Sequence, residues 1–267
     1  IPKSKSLLAE QLIQIKNTYH KDLIFIAADR AKEIHSSTLK VFEKYLGTTT
    51  TSLAVKKARL VFCQLDNKQV YQSPFPTVWD LAPTYPATTH FSISNHANVY
   101  ARDKLDLGAR YFLQSLPRIP ADAKVIDLGC GNGVLGLTLL AAQPLANISF
   151  VDESYMAIAS AKANVEKNLP EQITQCQFIV NDCLTDLNEQ DIDLVLCNPP
   201  FHQQTATTDH IAWQMFNDAF RALKKGGELR IIGNRQLAYH IKLKRIFGNC
   251  KEIATNNKFV TLSAIKR

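Results

Sequence analysis

From Ala123 onward, two apolar patterns alternate along the chain. Short unbroken apolar runs end on an acid or an amide: "KVIDLGC", "NISFVD", "CQFIVND" and "DLVLCN". Such runs read as strands buried on both faces. Between them lie longer segments with apolar residues three and four apart. "GVLGLTLLAAQ" predicts one helix, and "SYMAIASAKANVEKN" a second with Ser154 as its N-cap. A third helix is expected over 207–223, stopped at Gly226-Gly227. "ELRIIG" predicts a fifth strand and "RQLAYHIKLKRIF" a helix closed by Gly248. "EIATN" and "FVTLSAI", joined by Asn256-Asn257-Lys258, predict a hairpin. The repeated strand–helix units predict an α/β fold, a doubly wound seven-stranded sheet that is mainly parallel with an antiparallel last strand.

The first 65 residues do not start that sheet. The stretch from Asp22 to Leu65 reads strand, helix, Gly, then two strands, which is also the order of Glu228 to Ile265. Gly47 and Gly248 fall at equal offset, as do Lys57 and Lys258. This predicts a second copy of the C-terminal half of one domain, with no glycine-rich loop of its own ahead of it. Asp66 to His90 holds four prolines and four threonines and reads as a linker. The expected division is therefore 1–66 as a partial domain, 67–90 as linker and 91–267 as the complete domain. Because the chain opens on Ile, a fragment or processed form is expected.

Charge sharpens the division. The net charge is +7, distributed as +6 over residues 1–60, −9 over 61–220 and +10 over 221–267. Basic ends around an acidic middle suit a polyanion outside and a cationic or hydroxylated small ligand within. Solvated helix faces would give the same counts. The basic candidates are Lys56, Lys57 and Arg59 in the first domain and Arg235, Lys242, Lys244 and Arg245 in the second. Six scattered cysteines form no C-x-x-C pair, so neither a metal nor a disulfide is expected. No apolar run is long enough for a membrane span and none reads as an export signal, so a soluble cytoplasmic protein is expected.

"DLGCGNGVLG" follows the first strand of the complete domain. Gly131, Gly133 and Gly136 match G-x-G-x-x-G, which lets a ligand approach the backbone and turns the chain into a helix. Asp152 ends the next strand and can accept from ribose hydroxyls. To this point NAD and S-adenosylmethionine (AdoMet) fit equally. Asp127 separates them: a carboxylate beside the loop repels a pyrophosphate but attracts the ammonium of a methionine tail. Asp182, after the third strand, can accept from an adenine amine. Gly129, Cys130 and Gly131 complete the expected cofactor loop.

The fourth strand runs into Asn198-Pro199-Pro200-Phe201, and two prolines cannot continue it. An exocyclic amine is a poor nucleophile because its lone pair is delocalised. It needs both N–H groups held so that the lone pair faces the methyl donor. The Asn198 side-chain oxygen and the Pro199 carbonyl offer two acceptors, and Phe201 offers a face for a planar base. An ordinary strand-to-loop turn also uses Asn and Pro. His202 reads as a loop residue, and Trp213 and Phe216 read as core.

"VIDLGCGNG" and "NPPF" resemble the class I AdoMet-dependent methyltransferases that act on N6 of adenine or N2 of guanine. "NHANVYARDKLDLGARYFLQSLP", "NPPFHQ" and "ATNNKFVTLSAIK" resemble a narrower family, the bacterial rRNA guanine-N2 methyltransferases, most closely that of the large subunit. The resemblance implies a degenerate first domain, an active second domain, and methylation of a 23S rRNA guanine at N2. It implies cofactor contacts from Asp127, Gly129, Gly131, Asp152 and Asp182, with Asp106 and Gly108 closing over the methionine end. It also implies that about half of the first domain lies outside this chain, and the incomplete domain is expected to expose apolar surface open to a partner or a second copy. Competing readings are the same chemistry on a 16S guanine, DNA adenine or protein glutamine, and a silent RNA-binding protein. A nicotinamide oxidoreductase ranks last.

Overall fold

A computed structural model of the chain describes residues 1–19, 23–65, 70–83, 90–187, 190–200 and 206–267, with 206–209 described by backbone alone. Two compact units meet in sequence at Pro76 and Thr77.

The first unit, Ile1–Pro76, holds α1 (Lys5–Thr18), β1 (Ile24–Arg30), α2 (Ser36–Tyr45), β2 (Thr49–Thr51) and β3 (Ala58–Gln64). Ser4 caps α1 by accepting from the Leu7 N–H. Leu8, Leu12 and Ile13 of α1 pack with Phe42, Leu46, Val61 and Cys63 in a core of their own. The sheet order is β1-β3-β2, antiparallel throughout. Ile24 and Ile26 on β1 are exposed, at 61% and 56%.

The second unit, Thr77–Arg267, opens with β4 (Thr77–Leu81) and β5 (Phe91–Asn95), an antiparallel pair. The stretch expected to be a bare linker, 67–90, thus contains a strand. Thr77–Leu81 carries its own alternation, and its pairing across a proline-rich gap is a long-range contact that no local pattern reveals. Then come α3 (Leu107–Leu113), β6 (Lys124–Leu128), α4 (Val134–Ala142), β7 (Asn147–Asp152), α5 (Tyr155–Asn168), β8 (Cys176–Val180), β9 (Ile192–Cys197), α6 (Ala206–Ala222), β10 (Leu223–Asn234), α7 (Tyr239–Phe247), β11 (Lys251–Thr255) and β12 (Phe259–Ile265).

The seven-stranded sheet has the order β11-β12-β10-β9-β6-β7-β8. β6 to β10 are parallel, and β12 lies antiparallel between β10 and β11. This is the class I methyltransferase fold. Alternate residues of β6 feed two cores, as buried strands covered on both faces must. Val125 packs with Phe112, Leu137 and Phe150, whereas Ile126 and Leu128 pack with Phe216, Leu229 and Leu243. The chain moves from β8 on one flank to β9 beside β6, so the strand order reverses next to β6. Crevices form at such points, outside the carboxyl ends of the strands.

Gly226-Gly227 does not serve as a loose helix stop. α6 ends at Ala222 and the glycines lie inside a bulged start of β10, where the Gly226 N–H donates to the Lys266 carbonyl. The three-residue turn at Asn256–Lys258 joins β11 to β12, and Gly248 ends α7 in the left-handed region. In the first unit, β1, α2, β2 and β3 follow one another as β10, α7, β11 and β12 do, and the order β1-β3-β2 reproduces β10-β12-β11.

Candidate functional site

A cavity of about 490 Å³ opens at the carboxyl ends of β6, β7, β8 and β9. Each strand delivers a short polar segment to it, because strand pairing stops where the chain turns. β6 delivers Gly129, Cys130, Gly131 and Asn132; β7 delivers Asp152, Glu153 and Ser154; β8 delivers Asn181, Asp182 and Cys183; β9 delivers Asn198, Pro199 and Pro200. Leu128, Ile211 and Met215 give it apolar walls, and a segment after β5 supplies Asn98, Tyr100, Ala101, Leu105 and Asp106.

The loop after β6 places Gly129, Gly131 and Gly133 all at positive φ. Gly131 borders the cavity, and a Cβ there would meet no described atom within 4 Å. The backbone is therefore bare where a ligand can lie against it. Gly133 and Gly136 have a different reason. A Cβ at Gly133 would sit 2.9 Å from that of Ala161, and one at Gly136 would sit 2.4 Å from the Phe150 ring. These glycines let α4 lie tight against α5 and β7.

The Asp152 carboxylate is aimed by two backbone donors: Gly131 N–H to Oδ2 and Ser154 N–H to Oδ1, each at 2.9 Å. About half of its lone-pair directions remain for a diol. Asp127 differs. It is 1% exposed, is not among the cavity-lining residues, and accepts from the Gly136 N–H at 2.9 Å through Oδ2. Its Oδ1 is buried with no hydrogen-bond partner among the described residues. Burial pushes this carboxyl up to about 7, with the Gly136 bond opposing and the Asp152 charge adding. It therefore supports the loop from beneath rather than facing the cavity.

Asp106 caps α3, with Oδ2 accepting from the Ala109 N–H and Oδ1 from the Tyr100 hydroxyl, both at 2.9 Å. Burial first, then the Asp106 charge, holds the Tyr100 phenol well above its ordinary range. Gly108 is buried in α3 and does not line the cavity. Asp182 borders it beside Cys183, which adopts a left-handed conformation at φ 51°. Sequence reasoning missed Asn98, Tyr100, Asn132, Asn181, Ile211 and Met215. The segments carrying Asn98 and Tyr100 were visible only as a resemblance, and Ile211 and Met215 only as helix periodicity.

Asn198 follows β9 directly and lines the cavity. Its Oδ1 is buried and has no hydrogen-bond partner among the described residues. Pro199 is buried and Pro200 exposed, which fixes the tip. Phe201 and His202 lie outside the described residues. Phe216 is fully buried in the core, as expected, whereas Trp213 is only half-buried and carries the Arg245 guanidinium 5.3 Å from its ring centroid. The bare Gly131 backbone, the aimed Asp152 carboxylate and the Asn198 oxygen, which has no partner among the described residues, fit a nucleoside with a substrate amine beside it.

Of the basic candidates, Lys56, Lys57, Arg235, Lys244 and Arg245 are exposed, while Arg59 and Lys242 are half-buried. Lys56 and Lys57 form the turn before β3, and Lys244 and Arg245 lie in the last turn of α7. Among the described residues no three His, Cys, Asp or Glu side chains gather as a metal site, and no helix is long and apolar enough to cross a membrane.

Residues 90–263 match the methyltransferase small domain family, and residues 1–67 match the RLMG N-terminal domain. A ribosomal RNA large subunit methyltransferase G of Colwellia psychrerythraea is 70% identical over the whole chain, which covers 69% of that protein. Its Klebsiella pneumoniae counterpart is 54% identical over the whole chain, again covering 69%. Among solved structures, a T. thermophilus 16S rRNA N2 G1207 methyltransferase in complex with AdoMet and guanosine shares the fold, with a TM-score of 0.84. That likeness spans the whole chain and 71% of the other, at 20% identity. The chain belongs to the ribosomal RNA large subunit methyltransferase G family.

Proposed function

We propose that this protein transfers a methyl group from AdoMet to the exocyclic N2 of a guanine in 23S rRNA. The buried Oδ1 of Asn198 at the cavity wall, without a hydrogen-bond partner among the described residues, is the observation that carries the reading. A buried acceptor without a donor is costly, about 1–3 kcal/mol, and a substrate N–H relieves that cost. When bound, AdoMet supplies an electrophilic methyl group on a sulfonium. Asp152 holds the ribose hydroxyls, Asp182 takes the adenine amine, and the bare backbone at Gly131 receives the methionine tail. Asp106, capping α3, fixes the segment Asn98–Asp106, a strap over that end, and Asp127 supports the loop from behind.

On the substrate side, the Asn198 oxygen and the Pro199 carbonyl accept the two N–H groups of the guanine amine. That turns its lone pair toward the methyl carbon. The N–C bond forms as the S–C bond breaks, and the extra proton leaves the nitrogen for solvent. Positioning carries the rate, and no strong base is required. Phe201 is proposed as the stacking face. Lys56, Lys57, Arg59, Arg235, Lys242, Lys244 and Arg245 are proposed to meet phosphates, and the first unit to be a degenerate methyltransferase-like domain serving RNA recognition. The setting is cytoplasmic, where rRNA is made.

Tritiated AdoMet offered with 23S rRNA, 16S rRNA, DNA and protein in separate reactions tests the reading. Label should enter 23S rRNA alone, as N2-methylguanine on digestion. Asn198→Ala should bind AdoMet and RNA as before and lose at least about 100-fold in kcat. Label in DNA or protein, or an active Asn198→Ala variant, would sink it.

A further inference from the structure

A stripe of polar side chains runs along the buried face of α5. Ser160, Asn164 and Asn168 stand four apart, among buried Ala157, Ala161 and Val165. Asn164 is fully buried and Ser160 is 1% exposed. Four helical residues rise about 6 Å, close to the roughly 6.7 Å between alternate residues of a strand. The stripe can therefore match a strand edge residue for residue, and it does. The Ser92 N–H donates to Asn168 Oδ1 at 2.9 Å and Asn168 Nδ2 donates to the Ser92 carbonyl at 3.0 Å. The Ser94 N–H donates to Asn164 Oδ1 at 2.7 Å and Asn164 Nδ2 donates to the Ser94 carbonyl at 3.0 Å. The His96 N–H donates to Ser160 Oγ at 3.0 Å. Helix side chains stand where a third strand would pair, on the edge of β5 opposite β4.

The two asparagines differ in one bond. The second N–H of Asn168 returns to its own helix, at the Asn164 carbonyl, 2.7 Å away. The second N–H of Asn164 crosses to the Asn132 carbonyl in the glycine loop, 2.9 Å away. Asn132 ties back through Nδ2 to Asn95 Oδ1, also at 2.9 Å. One buried amide thus joins α5, the strand leading into the strap Asn98–Asp106, and the loop that borders the cofactor cavity.

We propose that Asn164 is a positioning residue for the cofactor site: it sets the glycine loop and the strap at a fixed spacing, so that both meet the cofactor together. The role rests on the AdoMet reading above and deepens it. Asn168 anchors the same strand with the same chemistry but does not touch the loop, so it is the internal control.

Asn164→Ala and Asn168→Ala should lower the Tm by similar amounts. Only Asn164→Ala should weaken AdoMet binding by calorimetry, by about tenfold or more; Asn168→Ala should stay within about twofold. In rRNA methylation, Asn164→Ala should raise KM for AdoMet with kcat at saturation changed less than about threefold. Wild-type protein that fails to bind AdoMet would overturn the cofactor reading itself. Wild-type binding with unchanged affinity in Asn164→Ala overturns the positioning role alone, as does equal weakening in Asn168→Ala. Should Asn164→Ala fail to fold, Asn95→Leu, which cuts the Asn132–Asn95 link on the same loop, must show the same affinity loss, and unchanged affinity there overturns the proposal.

Discussion

Asp127 and Asp152 lie at the carboxyl ends of neighbouring parallel strands, one short of the last residue of β6 and at the last of β7, yet the structure gives them opposite surroundings. Asp152 borders the cavity and is steadied by two N–H donors, whereas Asp127 lies beneath the loop with one donor and one oxygen that has no partner among the described residues. The Asp127 carboxyl, pushed up to about 7 by burial, has an ordinary value near 4 in the unfolded chain. Between those values the folded chain holds a proton that the unfolded chain has released. Stability contributed by this group is therefore lost as pH rises through the window. Asp127→Asn has no such proton. From pH 5 to pH 8 the wild type should lose on the order of 3 kcal/mol more than the variant, read from urea midpoints. Equal losses would show that Asp127 is ionised when folded. The sequence made the acids visible because each ends a legible strand. It did not separate their roles, since one step along the chain decides whether a carboxylate precedes the loop or faces its mouth.

At the scale of elements, the parallel strands were legible because burial on both faces makes them unbroken apolar runs. The β4–β5 pair was not. "FSISN" is five residues long, its partner lies across a proline-rich gap, and its other edge is satisfied by helix side chains rather than by a strand. Ser160, Asn164 and Asn168 were the available signal, small polar residues beside an apolar stripe, but nothing local says that they face a strand. The approach of α4 to β7 was half legible. The glycine pattern was clear, but assigning Gly136 to packing needed Phe150. That ring lies 5.2 Å from Phe178 and nearly parallel to it, so it has little room to yield. Gly136→Ala should cost about 1–3 kcal/mol of overpacking, against at most about 1 kcal/mol of gained helix propensity. A Tm lowered by several degrees is expected in thermal unfolding. An unchanged or raised Tm would mean that the ring moves aside freely.

At the scale of the whole molecule, the internal similarity predicted from Gly47, Gly248, Lys57 and Lys258 reappears as matching strand order in the two units. Where the two units differ is informative. In the second unit the last hairpin turns through Asn256-Asn257-Lys258, with Asn256 Oδ1 accepting from the Lys258 and Phe259 N–H groups. In the first unit the turn is Lys56-Lys57, with φ of 49° and 65°, closed by the Ala58 N–H to the Val55 carbonyl at 2.9 Å. Two successive left-handed residues mark a type I′ turn, which favours Asn-Gly. Lysine there costs about 1–2 kcal/mol per position. Strain retained at an exposed tip argues for a use, and two ammonium groups side by side suit a phosphate backbone. The double variant Lys56→Asn/Lys57→Gly should therefore split two properties that usually fall together. Its first unit should be more stable, because the strain is relieved, while its affinity for 23S rRNA should fall. Across a salt series in filter binding, the slope of log K against log salt should flatten by roughly 0.7–0.9 for each phosphate contact removed, with AdoMet affinity unaltered. A more stable variant with an unchanged slope would mean that these lysines are only a solvated turn, and that RNA is held elsewhere.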